Sequence, residues 1–138
     1  ELTVITNGLR NVTVLAENPS IRVIVTPGEY NDKEASMFGP MTLEFLSGFR
    51  GDAMLTSSGG IGVEGVMDPN SGAASVKRAM IRQTSRSILV VDADKFEYQQ
   101  FERVCGLEQL DDVVTDAPPS PVISTALSAA DVEVHLAG

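Results

Sequence analysis

The chain has 138 residues, 43% of them hydrophobic, and a formal net charge of −9 at pH 7. This length fits one globular domain that folds without cross-links. The acidic charge argues against nucleic-acid binding by this chain, the single cysteine excludes an internal disulfide, and no apolar stretch approaches the roughly 20 residues that span a bilayer.

The start of the chain and its one cysteine indicate its domain context and its cellular location. The first residue is Glu1, and an apolar run follows at once. This opening suggests a piece of a longer protein with at least one domain missing before it. The lone thiol and the lack of a signal peptide predict a reducing, cytoplasmic location. We expect Cys105 to be a buried core residue on a helix, because Val104 is apolar and no base lies nearby.

The first half of the chain alternates strands with helices. In chain order we predict a strand at Leu2–Thr6, a helix from about Gly8 to Glu17, a strand at Ile21–Val25, a helix from Pro40 to about Leu46 and a strand at Asp52–Thr56. Asn7 is placed to cap the first helix, and Pro40 to open the second. The polar stretch Tyr30–Gly39 predicts irregular structure.

The second half begins with Ser57–Ser71, a glycine-rich stretch that predicts a long functional loop. After it we predict, in order, a helix at Ser71–Ser85, a strand at Ser87–Val91, a helix at Lys95–Gly106, a strand at Val113–Thr115, a helix at Ser124–Ala130 and a strand at Val132–Leu136. This alternation predicts an α/β fold: an open, mostly parallel sheet with helices on both faces, in a single domain over residues 1–138.

Polar segments lie where five of the predicted strands end. They are Thr6-Asn7, Pro27–Glu29, Thr56–Gly60, Asp92–Lys95 and Thr115-Asp116. In an open α/β sheet, ligands bind in the crevice outside the carboxyl ends of the strands. Hydroxyls, amides, glycines and lysines suit a small, anionic, hydroxyl-rich ligand. These segments therefore predict a crevice for such a ligand.

Thr6-Asn7 and Ser57–Gly60 each leave two interpretations open. Thr6 and Asn7 can offer donors to an anion at a helix N-terminus, or Asn7 can simply cap the helix. Successive N–H groups in Ser57–Gly60 can form an anion nest, or the segment can be a flexible turn. The glycines match neither a dinucleotide-binding fingerprint nor a Walker A sequence, so a nucleoside triphosphate site is not expected.

Charged residues give further candidates. Lys77 falls at the border of the buried stripe of its helix, so its ammonium can reach the crevice or remain solvated. Lys95 can pair with an aspartate or bind a phosphate as a point charge, or it can be an ordinary lysine next to an aspartate, such as Asp92, that caps a helix. Asp52, inside an apolar run, needs a partner such as Lys77 or Lys95, unless it lies at a surface edge.

The only histidine is His135, and its strand alternates polar and apolar residues. We expect it to face solvent rather than to act as a base. One histidine and one cysteine cannot make a His/Cys zinc cluster or a catalytic triad. We expect no metal and no cofactor.

Six motifs in one order resemble the C-terminal effector domain of the DeoR family of bacterial transcriptional repressors. They are VITNGL (Val4–Leu9), PGEY (Pro27–Tyr30) with FGP (Phe38–Pro40), GDAMLTSSGGI (Gly51–Ile61), VKRAM (Val76–Met80), DADKF (Asp92–Phe96) and VVTD (Val113–Asp116). The resemblance implies a fold like that of ribose-5-phosphate isomerase and the CoA-transferases. It also implies a sensor of a phosphorylated sugar that alters DNA binding by a separate N-terminal winged helix-turn-helix domain.

The resemblance also assigns roles. Residues implied to contact phosphate or sugar hydroxyls are Thr6, Asn7, Gly28, Ser57, Ser58, Gly59 and Gly60. Lys77 and Lys95 would neutralise charge, Asp52 would orient a lysine or bind a hydroxyl, and Glu29 and Asp92 complete the effector-binding set. The family usually has two glycines after the second strand, whereas here Pro27 stands in place of the first glycine, and Glu29 follows Gly28. The ligand therefore sits differently or is less anionic.

Two functions remain open. One is a sensor without chemistry, in a homodimer or homotetramer that has no membrane partner. The other is an aldose–ketose phosphate isomerase, with Asp52, Glu64 and Lys77 as the available base and enediolate-stabilising groups. The resemblance favours the sensor, because the lysine and glutamate segment of the isomerases is missing. A CoA-transferase fragment is a third, weaker possibility, since no catalytic glutamate motif is visible.

Overall fold

All six predicted strands are present in the computed structural model, which describes residues 1–138. The first 49 residues contain β1 (Leu2–Thr6), α1 (Leu9–Leu15), β2 (Ile21–Val25), β3 (Glu29–Asn31), β4 (Ser36–Phe38) and α2 (Pro40–Ser47). The remainder contains β5 (Gly51–Thr56), β6 (Gly60–Gly62), β7 (Gly65–Asp68), α3 (Ser71–Gln83), β8 (Thr84–Val90), β9 (Glu102–Cys105), β10 (Asp112–Thr115), α4 (Pro121–Ala129) and β11 (Glu133–Leu136).

The chain forms two compact units, Glu1–Phe49 and Arg50–Gly138. A single domain over the whole chain stays a prediction. The longest helix, α3, has 13 residues. None of the helices combines the length and the apolar character that crossing a membrane requires.

The first unit pairs two parallel strands and adds a hairpin. β1 and β2 run parallel, with Leu2 opposite Ile21 and Thr6 opposite Val25. β3 and β4 form an antiparallel hairpin where irregular structure was expected. The turn is local: the Asn31 side chain accepts a hydrogen bond from the Glu34 amide at 3.0 Å. Two strands of three residues are too short for an alternating pattern to show in the sequence.

The first helix is shorter than expected, and Asn7 does not cap it. The N-cap residue of α1 is Gly8, without a side-chain cap bond. The Asn7 amide instead donates to the Met37 carbonyl at 3.0 Å, which ties the end of β1 to β4. Thr6 takes over at the helix start, because its hydroxyl oxygen accepts from the Gly8 amide at 3.1 Å. The capping prediction for Asn7 was wrong, since tertiary pairing with β4 engages its side chain.

The second unit is built on a four-stranded parallel sheet in the order β11-β10-β8-β5. Long connections link the strands of this sheet, as parallel pairing requires: β6, β7 and α3 lie between β5 and β8, β9 lies between β8 and β10, and α4 lies between β10 and β11. Leu89 of β8 and Val113 of β10 are register partners in the two central strands. Both are fully buried, in one core cluster with Ile123 and Leu127 of α4 and Ala74 of α3. Burying one such leucine or isoleucine contributes roughly 1.5–3 kcal/mol. The α/β class and the parallel sheet are confirmed.

The expected loop Ser57–Ser71 contains two strands, β6 and β7. β6 and β7 form an antiparallel hairpin, and β9 pairs antiparallel with β7 to make a three-stranded sheet. The glycines serve close packing: a Cβ on Gly60 would lie 1.9 Å from the Tyr98 carbonyl oxygen, and Gly65 has φ +130°. Strands that are short and rich in glycine carry little β signal, so the pattern indicated a loop.

The expected helix Lys95–Gly106 is absent. A 3₁₀ turn covers Ala93–Lys95, and β9 ends at Cys105 opposite Val66 of β7. Pairing with β7 overrides the local helical preference. Cys105 is buried, as expected, but it lies on a strand, and burial raises the pKa of its thiol to about 11.

The remaining helix boundaries shift by a few residues. The helix α3 begins at Ser71, as expected, and ends at Gln83. Asn70 caps it, because its side-chain oxygen accepts from the Ala73 amide at 2.9 Å. The helix α4 begins at Pro121 after a Ser120 cap, three residues before its expected start at Ser124. Proline at the first helical position explains the earlier start, because its missing N–H has no intrahelical role there.

A buried carboxylate joins three strands at the amino ends of the parallel sheet. The Arg86 guanidinium on β8 donates to both oxygens of Asp112 on β10, at 2.7 and 2.9 Å. His135 Nε2 on β11 lies 2.8 Å from the same carboxylate. The hydrogen bonds from Arg86, and then from His135, lower the pKa of Asp112 from 3.8 to about 2. His135 is half-exposed, so the prediction that it faces solvent holds only in part.

The Asp112 network predicts a defined acid sensitivity. Because its folded-state pKa is lowered from 3.8 to about 2, Asp112 stabilises the fold above this interval and loses that effect as pH falls through it. We expect Asp112→Asn to be less stable than the parent at neutral pH, and the difference to shrink between those two pH values. Urea unfolding midpoints at several pH values measure this difference. Glu64→Gln, at an exposed residue, is the control. A difference that stays constant down to pH 2 would contradict the network.

Candidate functional site

A cleft of about 340 Å³ lies at the carboxyl ends of the parallel strands of the second unit. This is the edge at which open α/β sheets bind ligands. The residues that line the cleft are Ser57, Ser58, Val90, Val91, Asp92, Lys95, Val114, Thr115, Asp116 and Ala137. Four of the predicted site residues, Ser57, Ser58, Asp92 and Lys95, are therefore brought together.

The segment after β5 supplies two hydroxyls with different roles. Ser58 is buried, and its hydroxyl donates to the Gly60 carbonyl at 3.1 Å. Ser57 is exposed, and its hydroxyl forms no hydrogen bond within the chain. Ser58 therefore shapes the wall of the cleft, whereas the hydroxyl of Ser57 is free to meet a ligand.

The turn after β8 carries the only cation of the cleft. The Lys95 amide donates to the Asp92 carbonyl at 3.0 Å, which closes the 3₁₀ turn. The Asp92 carboxylate makes no capping bond to this turn, and the Lys95 ammonium has no ion-pair partner. Asp116 performs the anchoring instead, because its carboxylate accepts from the Ala93 amide at 2.7 Å.

The end of β10 adds two residues that the candidate set left out. Thr115 is 2% exposed, and its hydroxyl has no hydrogen-bond partner. Asp116 follows it and holds the turn after β8. The signal was present in the sequence, since Thr115-Asp116 is a polar pair at the end of a predicted strand, as Thr6-Asn7 is.

The cleft is mixed in charge. Lys95 contributes one positive charge, and Asp92 and Asp116 contribute two negative charges. The lysine can bind an anionic group as a point charge. The carboxylate of Asp92 can only accept hydrogen bonds when ionised, so it suits a ligand hydroxyl. The arrangement fits a ligand with both an anionic group and hydroxyls.

Gly59 and Gly60 do not line the cleft. The Gly59 amide donates to the Met67 carbonyl at 3.2 Å, so it is not available to an anion nest. A Cβ on Gly59 would lie 2.7 Å from Pro69 Cδ. Close packing of Gly59 against Pro69, and of Gly60 against Tyr98, explains why both positions are glycine.

Lys77 also lies away from the cleft. Its ammonium forms an ion pair with Asp68 at the end of β7, and the two side chains are 15% and 6% exposed. Lys77 thus lies at the border of the buried face of α3, as its position in the sequence indicated. Its ammonium meets Asp68 there, however, rather than the cleft. Asp52 is exposed and pairs with neither Lys77 nor Lys95, so the expected pairing is wrong. Strand β5 places Asp52 near its amino end, away from the cleft.

The four predicted residues of the first unit lie around the carboxyl ends of β1 and β2. Thr6 is buried, and Asn7 contacts Met37. Gly28 has φ +143°, and a Cβ there would lie 2.1 Å from the Thr42 hydroxyl. Glu29 is exposed and begins β3. Gly28 is thus required by backbone conformation and by close packing against α2.

One further cluster has the chemistry of metal ligands. Asp112, Glu133 and His135 place ligand atoms within 4.8 Å of one another. The cluster lies at the amino ends of the parallel strands, and the Arg86 guanidinium occupies both oxygens of Asp112. A cation would have to displace this guanidinium. We interpret the cluster as an ion-pair network that joins strands.

Comparison with known proteins gives one family. Residues 1–117 match the family model described as the DeoR C terminal sensor domain. The chain is 30% identical over 135 residues to an uncharacterised HTH-type transcriptional regulator of Bacillus subtilis, YulB, covering 97% of this chain and 52% of that protein. It is 29% identical over 136 residues to the glycerol-3-phosphate regulon repressor of Escherichia coli, covering 98% and 54%.

A third relative extends the range of regulators. The L-fucose operon activator of Haemophilus influenzae is 29% identical over 115 residues, covering 83% of this chain and 46% of that protein. The chain thus spans about half the length of the curated relatives it matches.

The two lysines can be separated by a stability measurement. Lys77→Met leaves the buried carboxylate of Asp68 without its partner, and we expect a loss of about 3 kcal/mol in the free energy of unfolding. Lys95→Met removes the same charge from a side chain without an ion pair, and we expect a change within about 0.5 kcal/mol. Urea denaturation measures both.

Asp68→Asn combined with Lys77→Met is the control, because it removes both charges of the pair. It should recover part of the lost stability. Equal effects of the two lysine variants would contradict a structural role for Lys77.

Proposed function

The chain belongs to the family of DeoR C-terminal sensor domains, and on this premise we propose that it is the effector-binding part of a transcriptional regulator. The single observation that carries the proposal is the cleft at the carboxyl ends of β5, β8 and β10. Lys95 and Ser57 line it, and the ammonium of Lys95 and the hydroxyl of Ser57 have no partner in the chain. Both groups are therefore available to a ligand.

We propose a phosphorylated sugar or a related metabolite as the effector. The cleft of about 340 Å³ lies at the small end of the range for ligand pockets. Its lysine suits an anionic group, and its hydroxyls and carboxylates suit a polyol. The names of two relatives, a glycerol-3-phosphate regulon repressor and an L-fucose operon activator, point to the same area of metabolism. For Thr6, Asn7, Gly28 and Glu29, contact with the effector stays a prediction.

The regulatory output is proposed at the level of the whole protein. In this proposal a separate DNA-binding domain of the winged helix-turn-helix type reads the operator, and the effector shifts its DNA affinity. An effector can shift two conformations only by its differential affinity for them. Since relatives include a repressor and an activator, either direction of control fits. We expect a homodimer or homotetramer, as is common for symmetric regulators.

The proposal includes no chemistry on the effector. An isomerase needs a carboxylate base and a cation beside the substrate. Of the residues considered for this role, Asp52, Glu64 and Lys77 all lie outside the lining of the cleft. The Lys77 ammonium is also held by Asp68. Relatives are regulators of transcription by name, which supports the sensor over the enzyme.

The first test is a thermal-shift panel on the full chain. The probes are glycerol 3-phosphate, ribose 5-phosphate, fructose 6-phosphate and glucose 6-phosphate, each with its free polyol or sugar, and inorganic phosphate. A ligand at about 100 times its dissociation constant stabilises the fold by about 2.7 kcal/mol. We expect one phosphorylated compound to raise the midpoint. No response to any phosphorylated compound would contradict the proposed effector class, and turnover of ribose 5-phosphate would favour the isomerase.

The second test assigns the cation. Lys95→Met should weaken binding of the responding sugar phosphate by at least about tenfold, because a hydrogen bond to a charged group contributes about 1.5–3 kcal/mol. Lys33→Met is the matched control: Lys33 is exposed in the turn between β3 and β4. Calorimetric titration measures both affinities. Unchanged affinity in the Lys95 variant would place the anionic group of the effector elsewhere.

A further inference from the structure

Two buried hydroxyls in the chain lack a hydrogen-bond partner, Thr26 and Thr115. Each is 2% exposed. Each also stands at the carboxyl end of a parallel strand, because Thr26 directly follows β2 and Thr115 is the last residue of β10. Buried hydroxyls in folded proteins are nearly always satisfied, so an unpartnered one points to a water or a ligand that completes it.

Thr115 stands where the core of the second unit meets the cleft. It lies two residues beyond Val113, which is fully buried, so the two side chains share one face of β10. Its carbonyl accepts from the Ala137 amide at 2.8 Å. Thr115 lines the cleft, and its hydroxyl, the one polar group of the side chain, is buried and has no partner in the chain.

The free groups around Thr115 limit what can complete it. Ser58 and Asp116 are engaged within the chain. Ser57, Asp92 and Lys95 are not. An ionised carboxylate needs a donor, which a sugar hydroxyl supplies and a phosphate dianion does not. Three of the four free groups, counting Thr115, can therefore pair with hydroxyls, and Lys95 alone prefers an anion.

We propose that Thr115 reads a hydroxyl of the effector, and that this cleft therefore recognises the polyol part of its ligand together with its charge. The proposal rests on the proposed sensor function and makes it more specific. The ligand class is a phosphorylated polyol or sugar with free hydroxyls, and inorganic phosphate is a poor substitute. Asp116 is a positioning residue in this arrangement, because it holds the turn that carries Asp92 and Lys95.

The first readout is stability without ligand. Thr115→Val keeps the shape of the side chain and removes the hydroxyl. If this hydroxyl is unpartnered, the variant is as stable as the parent or more stable, since an unsatisfied group has been removed. Thr84→Val is the matched control at the other end of the sheet, where the Thr84 hydroxyl donates to the Met80 carbonyl at 2.8 Å. Its midpoint should fall by a few degrees. An equal fall in Thr115→Val would show that its hydroxyl already has a partner in the free chain, either a protein group or a tightly held water, and would overturn the proposal.

The second readout is affinity, by calorimetric titration with the sugar phosphate that stabilises the parent chain. Thr115→Val should bind it about tenfold more weakly, equivalent to about 1.4 kcal/mol. Thr115→Ser should restore binding, and Thr84→Val should bind like the parent. Unchanged affinity in Thr115→Val would overturn the proposal and leave the sensor function standing. A parent chain that binds no sugar phosphate would overturn both.

Discussion

Parallel pairing of β8 with β5 on one side and β10 on the other is the constraint on which the second unit depends. In a parallel sheet all strands end at the same edge, so three segments that are far apart in the chain meet there. The register places Leu55 opposite Ile88, and Asp112 opposite the same Ile88. This register fixes which face of each strand packs against α3 and α4, because a slip of one residue would turn every side chain to the other face.

The polar groups named here differ in hydrogen bonding between the amino and the carboxyl ends of this sheet. At the amino ends, Asp112 is held by Arg86 and His135, and Asp111 accepts from the Ser87 amide at 2.7 Å. At the carboxyl ends, the Lys95 ammonium and the Thr115 hydroxyl are left without partners. The Lys95 ammonium and the Thr115 hydroxyl are therefore groups that the fold leaves available to a ligand.

The sequence predicts a ligand-binding role for Lys77 and for Lys95 alike. In the structure, burial rather than charge distinguishes them. Lys77 reaches a buried carboxylate, Asp68, and their attraction offsets the loss of water around both groups. Lys95 follows a strand end directly, and the turn that carries it is anchored through the backbone by Asp116. A helical position at the border of a buried stripe predicts where a side chain points, but it does not name the residue that it meets.

Residue periodicity by itself determined the α/β class, the six main strands and the strand-end location of the cleft, with Ser57, Ser58, Asp92 and Lys95 in its wall. These features depend on local patterns of apolar residues, which the chain carries at short range. Tertiary structure alone decided that Glu102–Cys105 is a strand, that Gly60–Asp68 is mostly a hairpin, and that Thr115 lacks a partner. Pairing between distant strands overrides weak local preference, and whether a polar group is satisfied depends on every neighbour that the fold brings to it.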